Sequence, residues 1–122
     1  MLAAQIELIL LMTGLATAGA LVVFLAPVTS LKLLYGQAPS DALSLVIVRH
    51  WGLLIFSVGA QLIYAAYHAD LRVPTMIVAI VEKVAFALGM FFSPFHRRPT
   101  VRVVTLADAG MATLYLIYLF GL

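Results

Sequence analysis

Apolar residues run along this chain in four long blocks separated by short joints that hold most of the polar residues. All five prolines, at positions 27, 39, 74, 94 and 99, fall at or beside those joints, where a residue without a backbone N–H does least damage to a helix. The pattern predicts four helices, over about 6–26, 43–67, 74–92 and 101–121. From Leu8 to Ala26 the first holds nineteen residues without a charge, enough to cross a hydrocarbon core of about 30 Å at about 1.5 Å per residue. A secretory leader is the competing reading of this block. Glu7 stands where a leader carries positive charge, and the run outlasts the roughly 7–15 apolar residues of a leader, so a retained span is expected.

The joints carry their own signals. Ser40 and Asp41 are candidate N-caps for the second helix, and Pro74 suits the first turn of the third. Between Pro27 and Gly36, Leu31, Leu33, Leu34 and Tyr35 surround Lys32. This stretch is read as a short interfacial segment after the first helix, with a plain loop as the alternative.

Composition turns four apolar helices into a statement about solvent. Of 122 residues, 65% are hydrophobic and 10% charged, with a mean hydropathy of +1.15; soluble domains run near about 45–50% and 25%. A chain this short leaves roughly a third of its unfolded surface exposed after folding, so it cannot hide so much apolar area from water. The expected fold class is an all-α membrane protein: one domain, residues 1–122, forming a four-transmembrane-helix antiparallel bundle. With no Cys, a disulfide scaffold is excluded.

Charge sets orientation. The joints after the first and third helices, with the start of the fourth, hold Lys32, Arg97, Arg98 and Arg102, whereas the opposite end holds Arg72. Because Lys and Arg accumulate on the cytoplasmic side, both termini are expected outside the cytoplasm of a bacterial-type inner membrane. Membrane lipids are expected partners, since four basic residues on one rim suit anionic headgroups. Nothing in the pattern points to nucleic acid.

Arg49, His50, Glu82, Lys83 and Asp108 lie inside the apolar blocks, where each charge costs about 2.5–3.5 kcal/mol at a helix centre unless it is paired or solvated. Counting from the basic ends, Arg49, Asp108 and Glu82 sit roughly 12, 12 and 16 Å deep. Two positive and two negative groups at similar depth sum to zero, as a buried cluster requires. The expectation is one shared ligand or proton cluster of Arg49, His50, Glu82, Lys83 and Asp108. Glu82 continues the stripe Thr75, Ala79, Ala85, Gly89, Ser93 and is expected to face the bundle. Lys83, about 100° away, is expected at an edge, reaching Asp108 or a neighbouring subunit. A polar ribbon of Ser57, Gln61 and Tyr64 links His50 to His68 along the second helix, and Tyr115 follows Asp108 by seven on the fourth. Small residues, Gly14 and Ala18 on the first helix and Gly52 and Gly59 on the second, suit close helix approach. Two structural alternatives stand beside the cluster: Arg49, His50 and Trp51 as an interfacial anchor, and the buried pairs as devices that fix helix register.

For chemistry, His50, Glu82 and Asp108 are weak metal candidates, without Glu-x-x-His or His-Glu-x-x-His spacing and with Arg49 and Lys83 competing for the carboxylates. No second His lies at the depth of His50 and the chain has no Cys, so neither haem nor iron–sulfur binding is expected. With no Cys and no partner close to Ser57, nucleophilic catalysis has no basis and no catalytic residue is assigned. Proton transfer through Glu82, Asp108 and His50 is chemically open.

The helix count, the length, Arg49-His50-Trp51-Gly52 opening the glycine-bearing second helix, Glu82-Lys83 midway along the third and Asp108 in the fourth together resemble the DoxX-like small four-helix membrane proteins. That resemblance implies a membrane subunit or a binder of a small lipophilic ligand, a quinone or a lipid, and transfers no catalytic residue. The leading expectation is therefore a quinone-like-ligand binding or accessory subunit of a larger membrane complex, or a homo-oligomer. Two alternatives are a proton- or ion-coupled carrier working as a dimer and a lipid-modifying enzyme using Glu82 or Asp108 as acid and base.

Overall fold

The computed structural model describes residues 2–121 and is all-helical, with no strand among them. Its helices are α1 (Ile6–Ala18), α2 (Leu21–Leu25), α3 (Pro27–Tyr35), α4 (Ala42–Ala66), α5 (Arg72–Phe91) and α6 (Pro99–Leu119), with single 3-10 turns at Leu2–Gln5, Ala69–Leu71 and Pro94–Arg97. Four stretches are long and apolar enough to cross a membrane: Ile6–Leu25, Ala42–Ala66, Ala69–Phe91 and Pro99–Leu119. The first differs from the continuous helix expected, because the chain turns at Gly19 and Ala20 and divides it into α1 and α2.

Local chemistry sets the ends. Asp41 caps α4 by accepting the Ser44 N–H at 2.9 Å, and hydrogen bonding from Ser44 holds its carboxyl below the usual carboxylate range. A carboxyl with a lowered folded value supports the helix at neutral pH and loses that contribution as pH falls through it. Arg72 closes the far end of α4, donating through Nε to the Ala65 carbonyl at 3.1 Å and through an η nitrogen to that of Ala66 at 2.8 Å; these are carbonyls that the helix itself cannot satisfy. The segment after the first span is a true helix. Pro27 opens α3 at a position that lacks an intrahelical donor role, and Gly36, at φ +82°, closes it in the left-handed region. Its last turn is clipped to the start of α6, where the Leu34 carbonyl accepts from Arg98 Nε at 3.3 Å and from the Thr100 hydroxyl at 2.5 Å. The Arg98 guanidinium lies across the Cα of Gly36, in space a Cβ would occupy.

Packing is uneven along the bundle. α1 lies against α4, α4 against α5 and α5 against α6, and Tyr115 joins α6 back to α1. The tight core of Ile6, Leu10, Leu62, Ala65, Ala66, Met76, Ala79 and Tyr115 fills only the end near the termini. Outer faces stay apolar, with Leu8, Met12, Leu43, Val81, Val103 and Leu106 all exposed, a surface that water does not favour.

Helices α1 and α4 approach through glycine. A Cβ on Gly59 would lie 2.7 Å from the Gly14 carbonyl oxygen and would also strike the Ala18 backbone, whereas one on Gly110 meets nothing within 4 Å. Backbone cannot rotate away, so Gly59→Ala is expected to lower stability by about 1–3 kcal/mol, the usual scale of overpacking. Gly110→Ala should leave it unchanged or slightly raised. Thermal unfolding of the two variants in detergent, compared with the parent, checks both signs.

Candidate functional site

The inner face of α5 repeats at three and four residues through Met76, Ala79, Lys83, Phe86 and Met90, the helical period of a buried stripe. Met76, Ala79 and Lys83 are fully enclosed. This reverses the expected facing of the Glu82–Lys83 pair: Lys83 points inward with 1% of its side chain exposed, and Glu82 sits on the flank with 19%. The physical reason is the choice of stripe. Ala85 and Gly89 of the small-residue stripe are exposed, while the larger Met76 fills the interior beside Ala79.

Lys83 Nζ donates to Thr17 Oγ1 of α1 at 2.8 Å and to Asp108 Oδ1 of α6 at 3.3 Å. Asp108 is itself 15% exposed. Three helices are thus tied through one ammonium. The Thr17 hydroxyl donates to the Thr13 carbonyl at 2.8 Å, and Tyr115 donates to Thr13 Oγ1 at 2.5 Å, with the Thr13 hydroxyl donating to Ile9 O at 2.7 Å. A chain of satisfied donors therefore runs from the ammonium into the packed half, which is the condition under which buried polar groups become rigid and specific. Glu82 stands apart from it. Its Oε2 is 3.9 Å from Lys83 Nζ, buried and without a hydrogen bond.

A cavity of about 240 Å³ opens on this group, lined by Thr17, Trp51, Glu82, Lys83, Phe86 and Asp108 among others, including the backbone turn at Gly19 and Ala20. Trp51 and Phe86 stack face to face, centroids 6.1 Å apart at 16°. The same two rings also line a second, largely apolar cavity of about 460 Å³ toward the basic end, beneath Leu31, Tyr35 and Phe95. Burial, and then the charge of Asp108, push the Tyr35 phenol above its usual value, so at neutral pH it keeps its proton. A third, almost wholly apolar groove of about 780 Å³ between α2, α3 and α6 shares Val22, Val23, Leu34 and Val104 with the charged cavity.

The remaining sequence candidates lie elsewhere. Arg49 and His50 are exposed on α4 and, among the described residues, enter no ion pair with Glu82 or Asp108. The common cluster of five is thus three residues, Glu82, Lys83 and Asp108, because α4 turns Gly52 and Gly59 inward against α1 and α2 and so carries its charged pair outward. Gln61 and Tyr64 are exposed beside the groove between α4 and α5, Tyr64 stacks on His68, and Ser57 bonds back to the Leu53 carbonyl. They form no ribbon leading from the charged cavity. Tyr115 is fully buried in the packed core. Thr17, a principal partner of the ammonium, carried as a signal only its place one turn after Thr13. No group of three His, Cys, Asp or Glu side chains converges among the described residues.

Compared with family models, curated proteins and solved structures, the chain matches none.

Removing one partner of a buried ion pair costs about 3–5 kcal/mol because it strands the other. Lys83→Met and Asp108→Leu should each destabilise the protein on that scale. The double variant should lose clearly less than their sum, as unfolding in detergent across the double-mutant cycle will read.

Proposed function

We propose that this is an integral membrane protein whose four long helices cross the bilayer as an antiparallel bundle, and that it binds a lipophilic small molecule with a quinone-like headgroup, serving as a binding or accessory subunit of a larger membrane complex. The observation that carries this reading is the convergence of Lys83, Asp108 and Glu82 on a 240 Å³ cavity walled by Trp51 and Phe86 and adjoining larger apolar cavities. Ligand sites are typically apolar with a few placed polar groups. Here an ammonium has three N–H groups, of which Thr17 and Asp108 engage two. The Glu82 oxygen offers an acceptor. A headgroup that accepts at one edge and donates at another, as a quinone and its reduced hydroquinone do between them, matches that set, and the aromatic rings supply flat apolar surface. The resemblance to DoxX-like proteins agrees with this assignment.

Trp51 is the single tryptophan and stands in the wall of the cavity, so its fluorescence reports occupancy. Titration with a short-chain benzoquinone in detergent is expected to quench it saturably. Glu82→Gln and Asp108→Asn should each weaken the apparent affinity about tenfold, the worth of one hydrogen bond to a charged group. Quenching that never saturates, or that both variants leave unchanged, overturns the ligand assignment.

The basic rim of Lys32, Arg97, Arg98 and Arg102 places that end in the cytoplasm in this reading. A C-terminal reporter that works only in the cytoplasm should therefore be silent, and one that works only outside it should be active.

A further inference from the structure

A cleft separate from the Lys83 cavity lies where α5 ends and α6 begins. It measures about 290 Å³ and is lined by Phe91, His96, Arg102, Thr105 and Leu106. Arg102 is exposed and, among the described residues, makes no side-chain hydrogen bond or ion pair. Thr105, three residues on, has its hydroxyl oxygen buried and unpartnered, although a buried hydroxyl ordinarily finds a partner. His96 is fixed on the rim: Nδ1 must donate to the Ser93 carbonyl, 2.7 Å away, because that carbonyl can only accept. Arg97 and Arg98 follow His96 in sequence, and no acidic residue lines the cleft. Beyond these polar groups the walls are Phe91 and Leu106, exposed at 64% and 65%.

We propose that this cleft is a binding site for an anionic phospholipid, with the phosphate held by Arg102 and the Thr105 hydroxyl and an acyl chain lying along Leu106 and Phe91. Depth fits the assignment. Along α6 from Pro99, Arg102 and Thr105 lie about 4 and 9 Å in at about 1.5 Å per residue, which brackets the headgroup-to-acyl boundary of a bilayer whose polar layers are each roughly 5–7 Å thick. Charge fits as well, since a guanidinium matches phosphate geometry with paired donors. The exposed apolar walls select a lipid over free phosphate, because a soluble anion gains nothing from Phe91 and Leu106.

The test is lipid retention by the full chain in mixed micelles, read by native mass spectrometry with phosphatidylglycerol and phosphatidylcholine in competition. The parent should retain phosphatidylglycerol preferentially. Arg102→Gln should lower that preference about fivefold, the worth of one basic contact at an anionic surface. Arg102→Lys should keep most of it, Thr105→Val should lower it, and Lys32→Gln, an equal loss of charge on exposed α3, should leave it unchanged. Equal retention of the two lipids overturns the proposal, as does an equal effect of Lys32→Gln and Arg102→Gln, which would mean diffuse charge. Displacement of phosphatidylglycerol by millimolar inorganic phosphate would make the site one for the free anion and overturn the lipid assignment too.

Discussion

An ammonium group enclosed among apolar helices has to be answered from several sides at once, and most of this structure follows from how Lys83 is answered. Thr17 of α1 and Asp108 of α6 meet it at hydrogen-bonding distance, with Glu82 further off on its own helix. Those contacts fix three helices relative to each other in rotation and in height, because a shift of one residue on any of them moves its partner by about 100° around its axis. Apolar packing alone distinguishes poorly between neighbouring registers of smooth helices. A charge that must find its counter-ion distinguishes sharply.

Around that level the molecule divides. Toward the termini, Leu10, Leu62, Met76 and Tyr115 fill the space between the helices, and the hydroxyl chain through Thr13 and Thr17 continues the polar group into that solid half. Toward the basic end the helices separate around cavities walled by aromatic rings and by α3. The charged group lies at the boundary, held rigidly from below and accessible from above. A binding group benefits from that arrangement, since the cost of ordering it is met by folding and not by the ligand.

Much of this was legible in the sequence, and what was not has physical causes. The four long apolar blocks and the capping Asp41 follow from period and capping chemistry, and Lys83 meets Asp108, one of the two partners that depth along the helices left open to it. Rotation was the weak point. A stripe of small residues selected the flank of α5 as its inner face, because the habit that small residues face a protein interface loses force when Met76 and Phe86 can pack inside instead. Arg49 and His50 matched the cluster in depth but not in azimuth, and depth is the only coordinate that counting residues supplies. The break at Gly19 and Ala20 was also hidden, since an uninterrupted apolar run shows no sign of a turn when the residues forming it are themselves small and apolar.

Helix α3 has a consequence of its own. Its residues contribute to the walls of all three linked cavities: Leu31 and Tyr35 to the aromatic one, Leu33 and Leu34 to the lateral groove, and Leu34 again to the charged one. Pro27 begins this helix, the Ser30 hydroxyl ties it to the Val22 carbonyl at 3.0 Å, and Arg98 and Thr100 hold the Leu34 carbonyl at its other end. The three spaces therefore share one partition, and a shift of that partition alters all of them together. Residues 17, 82, 83 and 108 set the polar lining of the charged space, while the fastening of a nine-residue partition sets the separation of the walls around it.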